Sequence, residues 1–342
     1  MKLAVVLFNL GGPDSPDAVE PYLRNLFSDP AIIALPGLIR KPLARLIAKR
    51  RAPYTREIYA QIGGSSPILQ GTQAQARALE VALRASGDDV RAFVSMRCWH
   101  PFSDGAAMAV KAFQPDRIVL LPLYPQYSTT TTASSLKDWN RAAAKAGLHV
   151  PTARVCCYPA EDGFIAALTD SIRETMAKVK PDVSYRLLLS AHGLPQRVID
   201  RGDPYQKQVE QTAAAVVERL GISDLDWAIC YQSRVGPLNW IGPATDSEIL
   251  RARADGKGVI VAPIAFVSEH SETLVELDMD YYKLAHESGV PDYLRAPVVG
   301  VRAPFIAALA RLVSNAAAGD AVACGGQACP PNGRCGLRGA PS

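Results

Sequence analysis

Short apolar segments alternate with amphipathic helical segments along almost the whole chain, and this alternation is the strongest constraint on the fold. The apolar segments are rich in β-branched residues and nearly free of charge, which is typical of strands buried in a parallel sheet. The pattern predicts an α/β protein with two doubly wound, Rossmann-like domains, parallel sheets and a ligand-binding cleft between them. The predicted strands are residues 2–10, 90–96, 117–123, 152–158, 185–191, 226–232, 259–267 and 293–298.

The length of 342 residues is consistent with two domains. We place the N-terminal domain at residues 1–155 and the C-terminal domain at residues 156–318. The last predicted helix, about 303–318, can cross back to the first domain. The tail at 319–342 is rich in Gly, Pro, Cys and Ala without a periodic pattern, so we expect coil there unless something ties it down.

Charge and cysteine content exclude several classes of protein. The net charge of +4 is too small to argue for nucleic-acid binding, and no apolar run is long enough to span a bilayer. We expect the N-terminal apolar run to be a first strand and not a signal peptide. The seven cysteines are odd in number and unevenly spread, so a disulfide framework is not expected, and the sequence predicts a reducing compartment, the cytoplasm.

An acidic segment follows the apolar run at 259–267, where the carboxyl end of a parallel strand would place a ligand site. Ser271 can cap a helix there, and Glu272, Glu276 and Asp280 then follow at intervals of four on one helical face. The preference of helix starts for acids explains Glu272, but it explains Glu276 and Asp280 less well. We therefore interpret this stripe as part of a functional site.

Polar residues also end two other predicted strands, at His192 and at Tyr231–Arg234. A histidine in such a position is often structural, but facing Glu272 it becomes a candidate acid/base or weak metal-binding pair. The spacing fits neither H-E-x-x-H nor G-x-S-x-G, so zinc protease and serine hydrolase chemistry are disfavoured. A histidine with carboxylates and no thiolates suits a metal that binds transiently.

The segment 31–51 is apolar with interspersed basic residues. We predict Leu43, Leu46 and Ile47 on one side of a helix, opposite most of the charge. A packed surface helix, a pocket rim and a membrane-surface contact all fit this pattern. The basic residues of the segment are Arg40, Lys41, Arg45, Lys49, Arg50 and Arg51.

The chain also contains five longer motifs, Val6–Pro13, Ser190–Pro195, Arg201–Tyr205, Tyr231–Pro237 and Phe266–Leu274. These motifs closely resemble the ferrochelatase family, whose members insert ferrous iron into a porphyrin to finish haem, and the resemblance runs in order from residue 3 to about 315. It implies a bacterial member of the family, with two Rossmann-like domains and the porphyrin in the cleft.

The resemblance also implies residue roles. His192 matches a histidine implicated in pyrrole deprotonation and metal binding, and Glu272 matches the opposing metal-site carboxylate. Glu276 and Asp280 match an acidic path for metal entry or proton exit. Glu269 occupies a position that is often Asp in the family.

Further matches concern the porphyrin. Leu10, Tyr59, Trp240 and Phe266 match positions that line it, although each is equally consistent with plain core, and His270 belongs to the hydrogen-bonded cluster beside them. Arg51 and Arg97 match cleft positions that can pair with propionates. Segment 31–51 corresponds to the family's active-site lip, which touches the membrane in some members.

The tail carries three cysteines in C-x4-C-x5-C spacing, Cys324, Cys329 and Cys335. Some ferrochelatases bind a [2Fe–2S] cluster through three C-terminal cysteines and a distant fourth. Cys156 or Cys157 can be the fourth ligand, and alternation along a strand would let only one of them reach the tail. Of the two, we favour Cys157. A zinc knot and an unliganded tail are the alternatives.

The implied activity is insertion of Fe²⁺ into protoporphyrin IX with loss of two pyrrole protons, a lyase reaction that forms protohaem. Two alternatives stay open: a chelatase for another tetrapyrrole, such as a coproporphyrin or cobalt chelatase, and a non-catalytic haem or iron carrier. The presence of both His192 and Glu272 argues against a carrier.

Overall fold

The computed structural model describes residues 1–84, 89–234, 236, 238–319 and 322–323. It divides into two compact units: one contains Met1–Cys157 and the described residues from Leu309 onward, and the other contains Tyr158–Ala308. Helix α12, Ala303–Ala318, therefore begins in the second unit and ends in the first. The interdomain cleft stays a prediction.

The first unit is built on a parallel sheet with the strand order β2-β1-β3-β4-β9. Ala4, Val6 and Phe8 of β1 face a core formed with α4 and α5, where Phe8 meets the ring of Trp139 edge-on at 6.0 Å. The other face of β1 is buried as well, with α3 against β1 and β2. The elements are β1 (Lys2–Asn9), a 3-10 turn (Pro16–Ala18), α1 (Val19–Phe27), α2 (Gly37–Ala60), α3 (Ile68–Arg84), β2 (Asp89–Met96), α4 (Ser103–Phe113), β3 (Arg117–Pro122), α5 (Thr132–Ala146), β4 (Thr152–Val155) and β9 (Val322–Ala323).

The second unit holds a parallel sheet with the strand order β6-β5-β7-β8. Leu188, Val259 and Val261 pack against α9 and α11 on one face of this sheet. Its elements are α6 (Asp162–Met176), β5 (Tyr185–His192), α7 (Gln196–Asp200), α8 (Tyr205–Leu220), β6 (Trp227–Gln232), α9 (Thr245–Ala254), β7 (Gly258–Pro263), α10 (Ser271–Leu274), a π-helix (Glu276–Asp280), α11 (Tyr281–Ser288), β8 (Tyr293–Arg295) and the start of α12. The predicted α/β class with parallel sheets is confirmed in both units.

Three predicted strands end three or more residues earlier than expected, and one of them, β8, ends at Arg295 instead of at residue 298. Strand β7 ends at Pro263, although the apolar run continues to Val267. Ile264 and Val267 are buried although they lie outside the sheet. The apolar residues there therefore indicate burial and not a continued strand. Strand β4 ends at Val155, so the cysteines at 156–157 lie beyond it and the predicted alternation of their side chains does not apply.

The tail also differs from the expectation of coil. Residues Val322–Ala323 form the short strand β9, which pairs in parallel with β4. Arg154 lies opposite Val322, and Val155 opposite Ala323. The end of the described chain is therefore tied to the strand that leads into Cys156 and Cys157.

Helix α2 contains most of the basic segment and buries a stripe of alanines, Ala44, Ala48 and Ala52. The prediction that Leu46 packs together with Leu43 and Ile47 is wrong, because Leu46 is 47% exposed, whereas Leu43 and Ile47 are partly buried. Small alanines at intervals of four let α2 approach α1 closely, and this leaves larger apolar residues outside. No helix of the described residues is both long and apolar enough to cross a membrane.

Candidate active site

The carboxyl ends of β5 and β6 lie side by side in the second unit. His192 is paired with Gln232 in the parallel register, and the backbone N–H of Gly193 donates to the carbonyl of Gln232 at 2.8 Å. A Cβ at position 193 would lie 3.0 Å from that carbonyl oxygen and 3.4 Å from the Trp240 ring. A side chain immediately after His192 would crowd this carbonyl, so the absence of a Cβ in glycine favours the close approach.

A loop after β7 leads into the short helix α10, and it presents Glu272 toward the end of β5. His270 is the N-cap residue of α10, and the Thr273 hydroxyl accepts a hydrogen bond from its backbone N–H at 3.0 Å. The prediction of Ser271 as the cap is wrong, because Ser271 is the first helical residue.

Glu272 lies between two histidines. Its Oε1 is 3.6 Å from Nε2 of His192, and its Oε2 is 3.5 Å from Nε2 of His270. The side chains of His192 and Glu272 are 35% and 31% exposed, so solvent reaches the pair. The structure thus brings together the predicted catalytic pair and the neighbouring His270.

The tautomer of both histidines follows from their other ring nitrogen. Nδ1 of His192 lies 2.6 Å from the carbonyl oxygen of Gly193, and Nδ1 of His270 lies 3.2 Å from that of Ser268. A carbonyl oxygen only accepts, so each Nδ1 carries the hydrogen. Each Nε2 then points either a lone pair or a second proton at Glu272, and a lone pair facing a carboxylate favours a cation between them.

Proton affinities of the pair agree with this arrangement. Burial lowers the pKa of His192, but the charge of Glu272 and its hydrogen bond outweigh burial and raise the pKa to about 9. Burial raises the pKa of Glu272, but the facing imidazoles hold it well below its usual range. Without a metal, the pair therefore holds one proton near neutral pH.

Glu276 lies in the π-helix and its carboxylate accepts four hydrogen bonds. The donors are the Gln232 amide at 3.1 Å, the backbone N–H and hydroxyl of Ser233 at 2.7 and 2.5 Å, and the Tyr281 hydroxyl at 3.0 Å. Ser233 has a φ of 60°, a strained value that these contacts hold in place. Burial and then the charge of Glu272 raise the pKa of Glu276.

Asp280 lies at the end of the π-helix and is exposed. Partial loss of water around its carboxyl group raises its pKa. The stripe that was predicted to lie on a single α-helix is divided between α10, which carries Glu272, and the π-helix, which carries Glu276 and Asp280. The backbone N–H of Asp280 donates to the carbonyl of Val275, five residues back, at 2.9 Å.

Arg295, at the end of β8, holds the acidic segment from the side and was not predicted. Its guanidinium contacts Asp278 at 2.6 and 2.7 Å and Glu269 at 2.7 Å, while its side chain is 12% exposed. It therefore joins the residue before His270 to the π-helix. The available signal was a lone basic residue at the carboxyl end of a strand that follows an acidic stripe.

Two predicted porphyrin-lining residues of the second unit lie near the pair. The Phe266 ring meets the His270 ring at 4.6 Å with an interplanar angle of 62°. Trp240 bridges to Pro195, and its ring lies beside Gly193. Phe266 thus contacts a neighbour of Glu272, and Trp240 lies beside the residue that follows His192.

Two predicted residues of the first unit, Tyr59 and Leu10, belong to one hydrophobic cluster, and a third, Arg51, lies beside it. Tyr59 is buried there, and Leu10 packs against it. Arg51 places its guanidinium 5.8 Å from the centre of the Phe27 ring, which belongs to the same cluster.

Arg97 differs from Arg51 because protein groups already bind it. It forms an ion pair with the buried Asp29 at 2.8 Å and donates to the Ser134 hydroxyl at 2.7 Å. Ser134 in turn donates to Asp29 at 2.5 Å.

Of the predicted cluster ligands, Cys157 is buried directly after β4, as is Cys156. Cys324, Cys329 and Cys335 lie outside the described residues. Within the part of the chain that the structure describes, no group of three or more His, Cys, Asp or Glu side chains is arranged to hold a metal ion.

The fold defines the class of protein first. It resembles the sirohydrochlorin chelatase SirB of Bacillus subtilis subspecies spizizenii, solved with cobalt, with a TM-score of 0.53, 11% identity and coverage of 92% of this chain and 94% of that one. SirB from Bacillus subtilis with Fe³⁺ gives a TM-score of 0.52 at 14% identity, over 93% of this chain and 96% of that one. The chain therefore has the chelatase fold.

Sequence comparison then identifies the family. The ferrochelatase family model matches residues 2–317, and the chain belongs to the ferrochelatase family. It is 56% identical over 342 residues to the ferrochelatase of Phenylobacterium zucineum, covering 99% of this chain and 98% of that one. It is 50% identical to that of Pelagibacter ubique, over 92% of this chain and 91% of that one.

Proposed function

We propose that this protein is the enzyme that inserts ferrous iron into protoporphyrin IX to form protohaem. The family membership supports the reaction, and the apposition of His192 Nε2 and Glu272 Oε1 at 3.6 Å supports the residues that perform it. The reaction exchanges two pyrrole N–H protons for one Fe²⁺ ion without any change of oxidation state. It therefore needs a cation ligand and a proton acceptor at one place.

The pair can supply both functions in turn. Two donor atoms that contact one cation at about 2.1 Å each are separated by roughly 3–4 Å, the spacing of His192 Nε2 and Glu272 Oε1. Fe²⁺ displaces the shared proton to solvent and passes to the porphyrin nitrogens. The vacated pair then takes up one of the two released pyrrole protons, and the other leaves to solvent.

Glu276 and Asp280 extend from the pair as the proposed acidic path. Asp280 is exposed and is suited to receive ions or protons from solvent. Glu276 lies between Glu272 and Asp280 in the sequence. Its carboxylate already accepts four hydrogen bonds, which favours a role in passing protons and not a role as a metal ligand.

For the porphyrin, we propose contacts with Phe266, Trp240 and His270 in the second unit and with Leu10 and Tyr59 in the first. Arg51 is a stronger candidate than Arg97 for a propionate partner. The guanidinium of Arg97 is already bonded to Asp29 and Ser134, whereas that of Arg51 has only an aromatic neighbour among the contacts described.

A metallation assay tests the function. The wild-type protein should convert Fe²⁺ and protoporphyrin IX to protohaem, and His192→Ala should not. Faster turnover of coproporphyrin would favour the alternative substrate, and haem binding without metallation would favour a carrier.

We also propose that the tail binds a [2Fe–2S] cluster through Cys157, Cys324, Cys329 and Cys335. The described part of the site fits, because β9 pairs with β4 immediately before the buried thiols at 156–157. When bound, such a cluster supplies a one-electron redox centre. The protein as isolated should be red-brown, and Cys157→Ser should remove the visible absorption. Cys230→Ser is a matched control at a buried thiol of the other unit. Loss of colour in Cys156→Ser alone would move the fourth ligand to that residue.

A peripheral membrane contact through residues 31–51 is our third proposal, together with a cytoplasmic location. Leu38 and Ile39 are 92% and 57% exposed, and Lys41 and Arg45 are exposed beside them. Leu38→Asp/Ile39→Asp should reduce sedimentation with phosphatidylglycerol vesicles, whereas Met108→Asp, at another exposed apolar residue, should not. Equal sedimentation of all three proteins would contradict the contact.

A further inference from the structure

Gln232 lies at the end of β6, fully buried, and its side chain contacts the segments that carry both catalytic residues. Its amide Nε2 donates to the backbone carbonyl of Glu272 at 2.7 Å and to the Glu276 carboxylate at 3.1 Å. Its Oε1 accepts from the Ser190 hydroxyl at 2.9 Å, two residues before His192.

The backbone of Gln232 adds a further link to the other member of the pair. Its carbonyl accepts from the N–H of Gly193 at 2.8 Å, and its strand register places it directly beside His192. One residue is thus bonded on both sides of His192 and to the backbone of Glu272.

The orientation of the amide is determined by its partners. The carbonyl of Glu272 and the carboxylate of Glu276 only accept, so they require the NH₂ group, while the Ser190 hydroxyl can donate to the oxygen. Both amide hydrogens and the oxygen are then used. Neither glutamate nor a hydrocarbon of the same length can reproduce this set.

We propose that Gln232 is a positioning residue that sets the separation of His192 and Glu272. It is buried beneath the pair and acts through their backbones, so it needs no contact with metal or porphyrin. The proposal rests on the proposed function of the pair, and it adds a residue to which the family resemblance gives no role.

Gln232→Glu tests the proposal with almost no change in volume. The substitution removes both donors and places a carboxylate against the Glu272 carbonyl and the Glu276 carboxylate, so the turn that carries Glu272 should move away. We expect kcat/KM for the metal to fall about 100-fold, the scale of a misplacement near 1 Å, while the KM for porphyrin stays within about twofold. Binding of Zn²⁺, measured by competition with a chromophoric chelator, should weaken in parallel.

Gln208→Glu is the matched control, because Gln208 is a buried glutamine on α8 of the same unit. Urea unfolding of both variants establishes the folded fraction in each assay. Unchanged Zn²⁺ binding and metal kcat/KM in folded Gln232→Glu would overturn the proposal, as would an equal loss in Gln208→Glu or an equal loss for metal and porphyrin. Zn²⁺ binding needs no turnover, so an inactive wild-type protein would refute the proposed function and still leave Gln232 tested.

Discussion

His192 presents Nε2 to Glu272 at 3.6 Å while its Nδ1 is bound to the carbonyl of Gly193 at 2.6 Å. The second contact determines the first, because the Nδ1 hydrogen leaves only Nε2 to face the carboxylate. A neutral imidazole and a carboxylate in this arrangement repel until a proton or a metal cation lies between them. The pair is therefore suited to the exchange of one for the other.

Removing the charge of Glu272 tests that exchange. Glu272→Gln should lower kcat for metallation by about 10²–10⁴-fold, because an amide neither binds the cation strongly nor accepts a proton. Porphyrin binding, followed by fluorescence, should persist. Glu287→Gln, at an exposed residue that pairs loosely with Lys283 at 3.9 Å, should behave as wild type. Equal rates in Glu272→Gln and wild type would refute the role of Glu272.

Metal affinity should depend on pH in a predictable direction. Because the pKa of His192 is raised to about 9, the imidazole is protonated in the metal-free enzyme at pH 7 and the metal must displace that proton. The KM for Zn²⁺ should therefore fall as the pH rises from about 6.5 to about 9. A KM that stays flat over this range would contradict the raised pKa.

The same group should affect stability. Because the pKa of His192 is higher in the folded protein than in the unfolded chain, its protonation stabilises the fold. This contribution is complete below the unfolded pKa of 6.5 and is lost as the pH rises through about 9. Urea unfolding at pH 7 and pH 10 should show a smaller decrease in the free energy of unfolding for Glu272→Gln than for wild type. The partial exposure of the pair keeps the difference small. A larger decrease in the free energy of unfolding for Glu272→Gln than for wild type would contradict the raised pKa of His192.

Arg295 should matter for stability more than an ordinary surface arginine. Arg295→Met leaves Glu269 and Asp278 without their shared partner and should cost about 3 kcal/mol in the free energy of unfolding, near the low end for a buried pair because both carboxylates are partly exposed. Arg295→Lys should lose less stability than Arg295→Met because it keeps the positive charge. It should still be less stable than wild type, since one ammonium cannot hold both partners equally well.

The control for Arg295 is Lys283→Met, whose exposed ion pair should contribute no more than about 0.5 kcal/mol. Urea unfolding at pH 7 measures all three variants. Similar free energies of unfolding for Arg295→Met and Lys283→Met would show that Arg295 does not stabilise the segment that contains Glu269 and Asp278.

The fold and the central pair were predictable because each depends on a local pattern. Buried parallel strands are apolar throughout. His192 ends one such strand, and Glu272 follows another after a loop. Gln232 and Arg295 were not predictable, since their roles arise from contacts with residues far away in sequence. Gln232, for example, forms hydrogen bonds with Glu272, 40 residues away in sequence, and with Ser190 on the neighbouring strand.

Two local predictions were wrong for physical reasons. Ser271 is a better cap by residue type than His270, but the Thr273 hydroxyl bonds the N–H of His270 and begins the helix one residue earlier. In α2, leucines and isoleucine were expected to pack, but alanines at 44, 48 and 52 allow the closer helix contact.

The most direct test of the account is the anaerobic formation of protohaem from Fe²⁺ and protoporphyrin IX by wild type and by His192→Ala. Absorption spectra follow the product, and fluorescence confirms that both proteins bind the porphyrin. The account predicts protohaem from wild type and almost none from His192→Ala with porphyrin still bound. Equal protohaem formation by the two proteins would contradict it.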